Sequence, residues 1–191
     1  MIFSLALVAC SVPGALAISV PILNNSFESP WVNINTDNGE IDSWGVTGDT
    51  YHSGVQVPQS YYYLTGVDGR QVGWIWEGTL SQVLTATIRA NAVYTLKALV
   101  GTWSDKSPTY AVQLVDSNNN VVLAQSAGSC NLGSLVEVTA PPYVANSHPE
   151  YIGHNLKIVL IGSGEEVNFD RVVLNYSLLS QSGPLLLLLD D

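Results

Sequence analysis

A chain of 191 residues has room for one domain with a proper core and little room for a second. Only 12% of it is charged, against a usual share of about 25%, while 47% is hydrophobic. Acidic residues outnumber Lys and Arg by 16 to 6, for a net charge of −10. That balance excludes nucleic acid or an anionic membrane surface held through a basic patch. It leaves cations and neutral ligands open, and it is common in extracellular β-proteins.

The N-terminus opens on an apolar run, then Pro13 and Gly14, then the small-residue pattern Ala15-Leu16-Ala17. It reads as a secretory signal over residues 1–17, although it lacks a basic leading segment. The mature protein is therefore expected to be secreted and extracellular, or periplasmic in a bacterium. Removal of the signal leaves Cys130 as the one cysteine, so no internal disulfide forms and a buried, inert thiol is expected.

Residues 19–23 suit an edge strand because Pro21 lacks a donor. A polar turn around Phe27 follows, then a loop rich in Asn, Asp and Gly up to Asp42, then Trp44, assigned to the core. Residues 51–63 are rich in aromatic and small side chains, and Asp68-Gly69 supplies a turn. Strands are predicted over 71–76, 79–84 and 92–100, the last with Tyr94, Leu96, Ala98 and Val100 toward the core. Residues 110–115 and 121–124 form a hairpin around an Asn-rich turn. Further strands fall over 135–138 and 156–161, and Gly162-Ser163-Gly164 turns the chain. Glu165 and Glu166 follow that turn and are expected in solvent.

The segment 166–174 alternates as a strand. On this reading Val167, Phe169, Arg171 and Val173 face one way, and Asn168, Asp170, Val172 and Leu174 the other. Asp170 then lies at the edge of an apolar face. A carboxylate there needs a cation, a hydrogen-bond donor or a raised pKa. With roughly nine to eleven short strands and almost no helical period, the fold class is all-β: an antiparallel β-sandwich, most simply a jelly roll. It forms one domain over 18–176. The tail 177–191 ends in five leucines and two aspartates, a poorly ordered end far shorter than the ~20 apolar residues of a membrane span. No transmembrane segment is expected.

Two groups of residues can carry chemistry. First and last strands of a sandwich are often neighbours, which would bring Asn25 and Glu28 to Asp170. Two carboxylates with an amide and loop carbonyls make an oxygen site suited to calcium. The alternative is a solvated Glu28 and an Asp170 that merely accepts backbone N–H groups. The second group is aromatic: Tyr61, Tyr62, Tyr63, Trp74, Trp76 and Trp103. Val72, Trp74 and Trp76 share one strand face. Such rings stack on sugars, or line an apolar pocket and steady a carbocation, or simply fill the core. His52, His148 and His154 lack metal-ligand spacing, and no nucleophile elbow, phosphate loop or dinucleotide fingerprint is present.

Certain motifs carry a family resemblance. Ile22-Leu23-Asn24-Asn25-Ser26-Phe27-Glu28-Ser29-Pro30, Leu80-Ser81-Gln82-Val83-Leu84, Ala90-Asn91-Ala92-Val93-Tyr94-Thr95-Leu96 and Val167-Asn168-Phe169-Asp170-Arg171-Val172-Val173-Leu174 resemble the galactose-binding-like carbohydrate-binding modules. They are similar in particular to the branch that contains the cyanobacterial Stig cyclases of hapalindole-type alkaloid biosynthesis. The resemblance spans about residues 20–174 and speaks more to fold than to function. It implies a jelly roll with structural calcium near the Asn-x-x-Phe-Glu pattern, where Glu28 and Asp170 match. In the Stig cyclases an aspartate near the C-terminal end is the acid that triggers rearrangement and cyclisation of a prenylated indole, and Asp170 matches it. The two roles conflict, because a metal lowers the pKa of its ligand and a proton donor needs it raised. The chain departs from the family in having Arg171 where Asn is common.

The leading expectation from sequence is a secreted, calcium-stabilised module, monomer or homodimer, binding carbohydrate through Tyr61, Tyr63, Trp74, Trp76 and Trp103. The alternative is a calcium-dependent cyclase with Asp170 as acid and a small apolar or aromatic ligand. A structural surface protein is the third reading.

Overall fold

A computed structural model describes residues 16–33, 37–58 and 64–179. Most of the expected signal segment, Tyr61, Tyr62 and Tyr63, and the tail from residue 180 lie outside the described residues.

The first strands in the chain are β1 (Ile18–Val20), β2 (Asp37–Asn38), β3 (Gly45–Gly48), β4 (Ser53–Gln56), β5 (Val72–Ile75) and β6 (Gly78–Thr87). After them come β7 (Ala92–Gly101), β8 (Thr109–Asp116), β9 (Val121–Ser129) and β10 (Val136–Thr139). The last are β11 (Tyr143–Val144), β12 (Asn155–Ser163) and β13 (Val167–Leu178), with two short 3-10 turns between β11 and β12. One sheet of eight strands runs β10-β7-β13-β5-β4-β2, with β1 added beside β13 and β11 beside β7; the other runs β3-β6-β12-β8-β9. Every strand pairing is antiparallel. This is the expected β-sandwich, and β1 does pair with β13, so the two ends of the domain meet. Among the described residues no helix is long and apolar enough to cross a membrane.

The core forms where the inner faces meet. Tyr94, Leu96, Ala98 and Val100 of β7 are buried as their alternation predicts, and they pack against Val112 and Leu114 of β8 and Leu156, Ile158 and Leu160 of β12. Trp44 and Phe27 join the same core, their ring centroids 5.2 Å apart. Phe27 is fully buried and lies over Gly73, where any Cβ would run into its ring. A side chain of this size contributes roughly 1.5–3 kcal/mol on burial, so Gly73 is what lets the Asn24–Glu28 loop reach the core.

The β13 alternation departs from the expectation. Asn168 and Asp170 share a face as predicted, but Val172 and Leu174 do not join them. Asp170 lies opposite Leu99 and Val173 opposite Lys97, so three steps along β13 match two along β7. The extra residue is a β-bulge, and it reverses which side each later side chain faces. Arg171 occupies it with φ at 38°. Val167 and Phe169 before it, and Val172, Leu174 and Tyr176 after it, all face the core. The backbone of Val172, turned out of the ladder, is taken up by Asn25: its N–H donates to the Asn25 carbonyl at 2.8 Å, and the Asn25 amide donates back at 3.3 Å.

Candidate active site

Asp170 sits on the outer face of the eight-stranded sheet, yet it is wholly buried. Register fixes its neighbours. Asn168 lies opposite Trp74 on β5 and Gly101 on β7, and Asp170 opposite Leu99. Across β5, Trp74 faces Gly54 and Val72 faces Gln56 of β4. Directly opposed residues project from the same face, so Asp170, Asn168, Leu99, Val72, Trp74 and Gln56 form one surface. Val72, Leu99 and Leu135 make a small apolar cluster there, with Leu64 and Val67 packed over it. Trp74 and Trp76 therefore belong to this outer surface and not to the sandwich core.

The Asp170 carboxyl accepts two backbone N–H groups, from Asp68 at 2.6 Å and Arg171 at 2.7 Å. Burial nevertheless dominates and pushes its pKa up to about 7; the two N–H bonds pull it down, and the charges of Asp68 and Glu28 push it further up. A carboxylic acid with that pKa keeps its proton to near neutrality. Arg171 does not neutralise it. The guanidinium reaches out to Glu137 at 3.3 Å, on the solvent side.

Glu28 serves the same turn from its other end, its Oε1 accepting the N–H groups of Arg70 at 2.7 Å and Gln71 at 2.9 Å. Gln71 is itself buried and holds the opposing loop: it accepts from Val32 N–H at 2.7 Å and donates to the carbonyls of Phe27 and Pro30. Calcium takes six to eight oxygens around one point. Of the three expected ligands, the Asn25 amide N–H donates to the Val172 carbonyl, and Glu28 and Asp170 accept backbone N–H groups. Among the described residues no three His, Cys, Asp or Glu side chains gather for a metal. Each histidine pairs with a carboxylate instead: His52 with Asp49, His148 with Glu150, His154 with Asp116. Cys130 is partly buried, and burial pushes its thiol up to about 12, which disfavours the reactive thiolate.

Glu166 corrects another expectation. It is only 4% exposed. Gln56 Nε2 donates to its Oε1 and also to Asn168 Oδ1, the latter at 2.9 Å. Burial raises the Glu166 pKa, while N–H groups of Trp103, Gln56, Asn168 and Trp76 act to lower it. Those of Trp76 and Asn168 stand near the carboxyl but fall short of hydrogen-bond geometry. The indole N–H of Trp74 is buried with no partner among the described residues. His52 stacks on Trp76 with centroids 4.4 Å apart. The signal for it in the sequence is period two: Glu166 is in phase with Asn168 and Asp170, whereas its place two residues past a glycine turn points to solvent.

A buried acid whose pKa burial pushes up to about 7, a second buried acid and a set of tryptophans thus gather on one sheet face of a jelly roll. The chain belongs to the HpiC1-like family: the family model described as HpiC1 cyclase matches residues 18–175. No curated protein sequence matches it. Among solved structures it is similar to the Stig cyclase Fisc from Fischerella sp. TAU in complex with (3Z)-3-(1-methyl-2-pyrrolidinylidene)-3H-indole, with 25% identity, 86% of this chain and 100% of that chain covered, and a TM-score of 0.73. A cyclase from the same organism in complex with 4-(1H-indol-3-yl)butan-2-one matches at 23% identity over 85% of this chain and 99% of that one, with a TM-score of 0.72. The carbohydrate-binding module TmCBM61 bound to β-1,4-galactotriose matches at 17% identity over 80% and 95%, with a TM-score of 0.57. That likeness is one of fold alone.

Proposed function

We propose that this protein is a Stig-type cyclase that triggers rearrangement and ring closure of a prenylated indole, or a related terpenoid, by protonation from Asp170. This is the reading placed second on sequence grounds. The observation that carries it is Asp170 itself, wholly buried beside apolar side chains on the tryptophan-bearing face, with its pKa pushed up to about 7. Family membership and the indole ligand in the Fisc complex support the same choice. The carbohydrate reading has only the fold likeness behind it.

The chemistry asks little of the chain beyond acid, shape and dryness. Asp170 gives its proton to an unsaturated carbon of the substrate, leaving a carboxylate held by the Asp68 and Arg171 N–H groups. Those two bonds lower the energy of the anion that forms. Trp74 and Trp76 offer ring faces to the carbocation, a stabilisation of roughly 2 kcal/mol or more when desolvated. Ring closure and loss of a proton end the sequence, with the acid restored and nothing consumed. The direct test is incubation of the purified protein with a prenylated indole and chromatography of the product. Conversion by the wild type and none by Asp170→Ala, with the fold intact by circular dichroism, supports the reading; equal conversion by both sinks it.

A further inference from the structure

We propose that Glu166 recognises the ligand, accepting the N–H of its indole ring at the end of the site opposite Asp170. This rests on the small-ligand cyclase reading and adds the group that orients the ligand within it.

Three observations converge on Glu166. The first is position. It is in phase with Asn168 and Asp170 on the outer face of β13, four residues from Asp170, or about 13 Å along a strand that rises ~3.3 Å per residue. That is the length of an indole carrying a prenyl-sized substituent. An acid at each end lets one fix the ring while the other delivers the proton. The second is the company it keeps. Gln56 donates to its carboxyl, and Trp76, Trp103 and Asn168 turn N–H groups toward it. Every one of these neighbours is a donor, so the carboxyl is arranged to accept. A carboxyl group has about four lone-pair positions, and with Trp76 and Asn168 short of bonding geometry, capacity remains for one more N–H.

The third is what is missing around it. Among the described residues no Lys, Arg or His pairs with Glu166; Lys106 goes to its neighbour Glu165, and Arg171 goes to Glu137. A 4%-exposed acid without a counter-charge is destabilising unless something compensates. A ligand N–H stacked among Trp74 and Trp76 would compensate and would be read by direction as well as by charge. Glu165 differs in having a cation, Lys106, as its partner.

The test is calorimetric titration of two probes, 4-(1H-indol-3-yl)butan-2-one and its N1-methyl derivative, against wild type, Glu166→Gln and Glu166→Ala. The wild type is expected to prefer the N–H probe by about tenfold or more. The preference should shrink to within about threefold in both variants, with the methylated probe binding each nearly as well as it binds the wild type. Glu166→Gln keeps the size of the side chain and so leaves any steric penalty on the methyl group in place, while Glu166→Ala removes the acceptor altogether. Equal binding of both probes by the wild type overturns the assignment, as does a preference that survives both substitutions. Equal loss of both probes in the variants also overturns it, since Glu166 would then only organise the tryptophans. If neither probe binds the wild type, the cyclase reading itself fails, which separates that failure from one confined to Glu166.

Discussion

Glu28 and Asp170 hold the two ends of one turn: Asp170 takes the Asp68 N–H at 2.6 Å, and Glu28 takes the Arg70 N–H at 2.7 Å. The turn holds the two carboxyls near enough that the charge of Glu28 adds to the forces raising the Asp170 pKa. First and last segments of the domain are thus stapled through backbone N–H groups. The same staple leaves Asp170 able to carry a proton.

Turnover should therefore follow the protonated form of Asp170. With a pKa pushed up to about 7, activity is expected to be level at low pH and to fall as pH rises through about 7. Asp170→Asn should lower the rate by roughly 10²–10⁴, the usual share of a positioned general acid. A pH–rate profile of kcat/KM checks both, and a rate flat from pH 6 to 9 would remove Asp170 as the donor.

Stability should carry the same signature with a definite sign. The folded pKa lies above the ordinary value of 3.8, so the folded state binds the proton more tightly than the unfolded one. The stabilising contribution is complete below about pH 4 and is lost as pH rises from there to about 7, at up to ~1.4 kcal/mol per unit of pH. Asp170→Asn removes this dependence. Urea unfolding at pH 5 and pH 8 should show the variant gaining on the wild type at the higher pH, by a few kcal/mol at the upper bound. An unchanged difference between the two pH values would show that the group is ionised throughout.

Calcium, which the sequence resemblance implies, can be separated from the acid. Both Asp170 oxygens are occupied by N–H donors, so any calcium-induced rise in melting temperature should be the same in Asp170→Asn as in the wild type. Ligand-linked stabilisation of this kind grows as RT ln(1 + [L]/Kd) and is read by thermal unfolding with calcium and with chelator. If the shift vanishes in the variant, Asp170 is a metal ligand and its role as acid is lost.

Much of this architecture is legible in the sequence because strands announce themselves by alternation. Tyr94, Leu96, Ala98 and Val100 of β7 are buried as period two requires, and β12 alternates cleanly between core and half-buried positions. What alternation cannot carry is an interruption. Nothing in the string Asp170-Arg171-Val172 says that Arg171 adopts a positive φ, so the faces of Val172 and Leu174 were reversed beyond that point. The site suffered a related loss. Asp170 stands out as a lone carboxylate in an apolar run, but whether it bonds a metal or keeps a proton depends on a turn 102 residues away in the chain. Gln56 and Glu166, 110 residues apart, have no local signal that they meet. Short strands such as β3 and β4, rich in Gly, Ser and Thr, are defined by their partners and not by their own composition.

The bulge itself can be tested. It aims Asp170 at the outer face while sending Val172 into the core, and it requires Arg171 at φ 38°, a region that a β-branched residue enters with difficulty. Arg171→Gly removes the Cβ and should leave stability within about 1 kcal/mol of wild type, the eased backbone offsetting the loss of the exposed pair with Glu137. Arg171→Val should be destabilised by roughly 1–3 kcal/mol and should lose activity in step, because strain there moves the Asp170 carboxyl. Deletion of Arg171 takes out the extra residue, and plain alternation from Asp170 still sends Val172, Leu174 and Tyr176 into the core. A folded protein is therefore expected that has lost the bulge and the Arg171 N–H that Asp170 accepts. Chemical denaturation of the three variants orders them. A deletion as active as the wild type would show that the bulge does not place the acid.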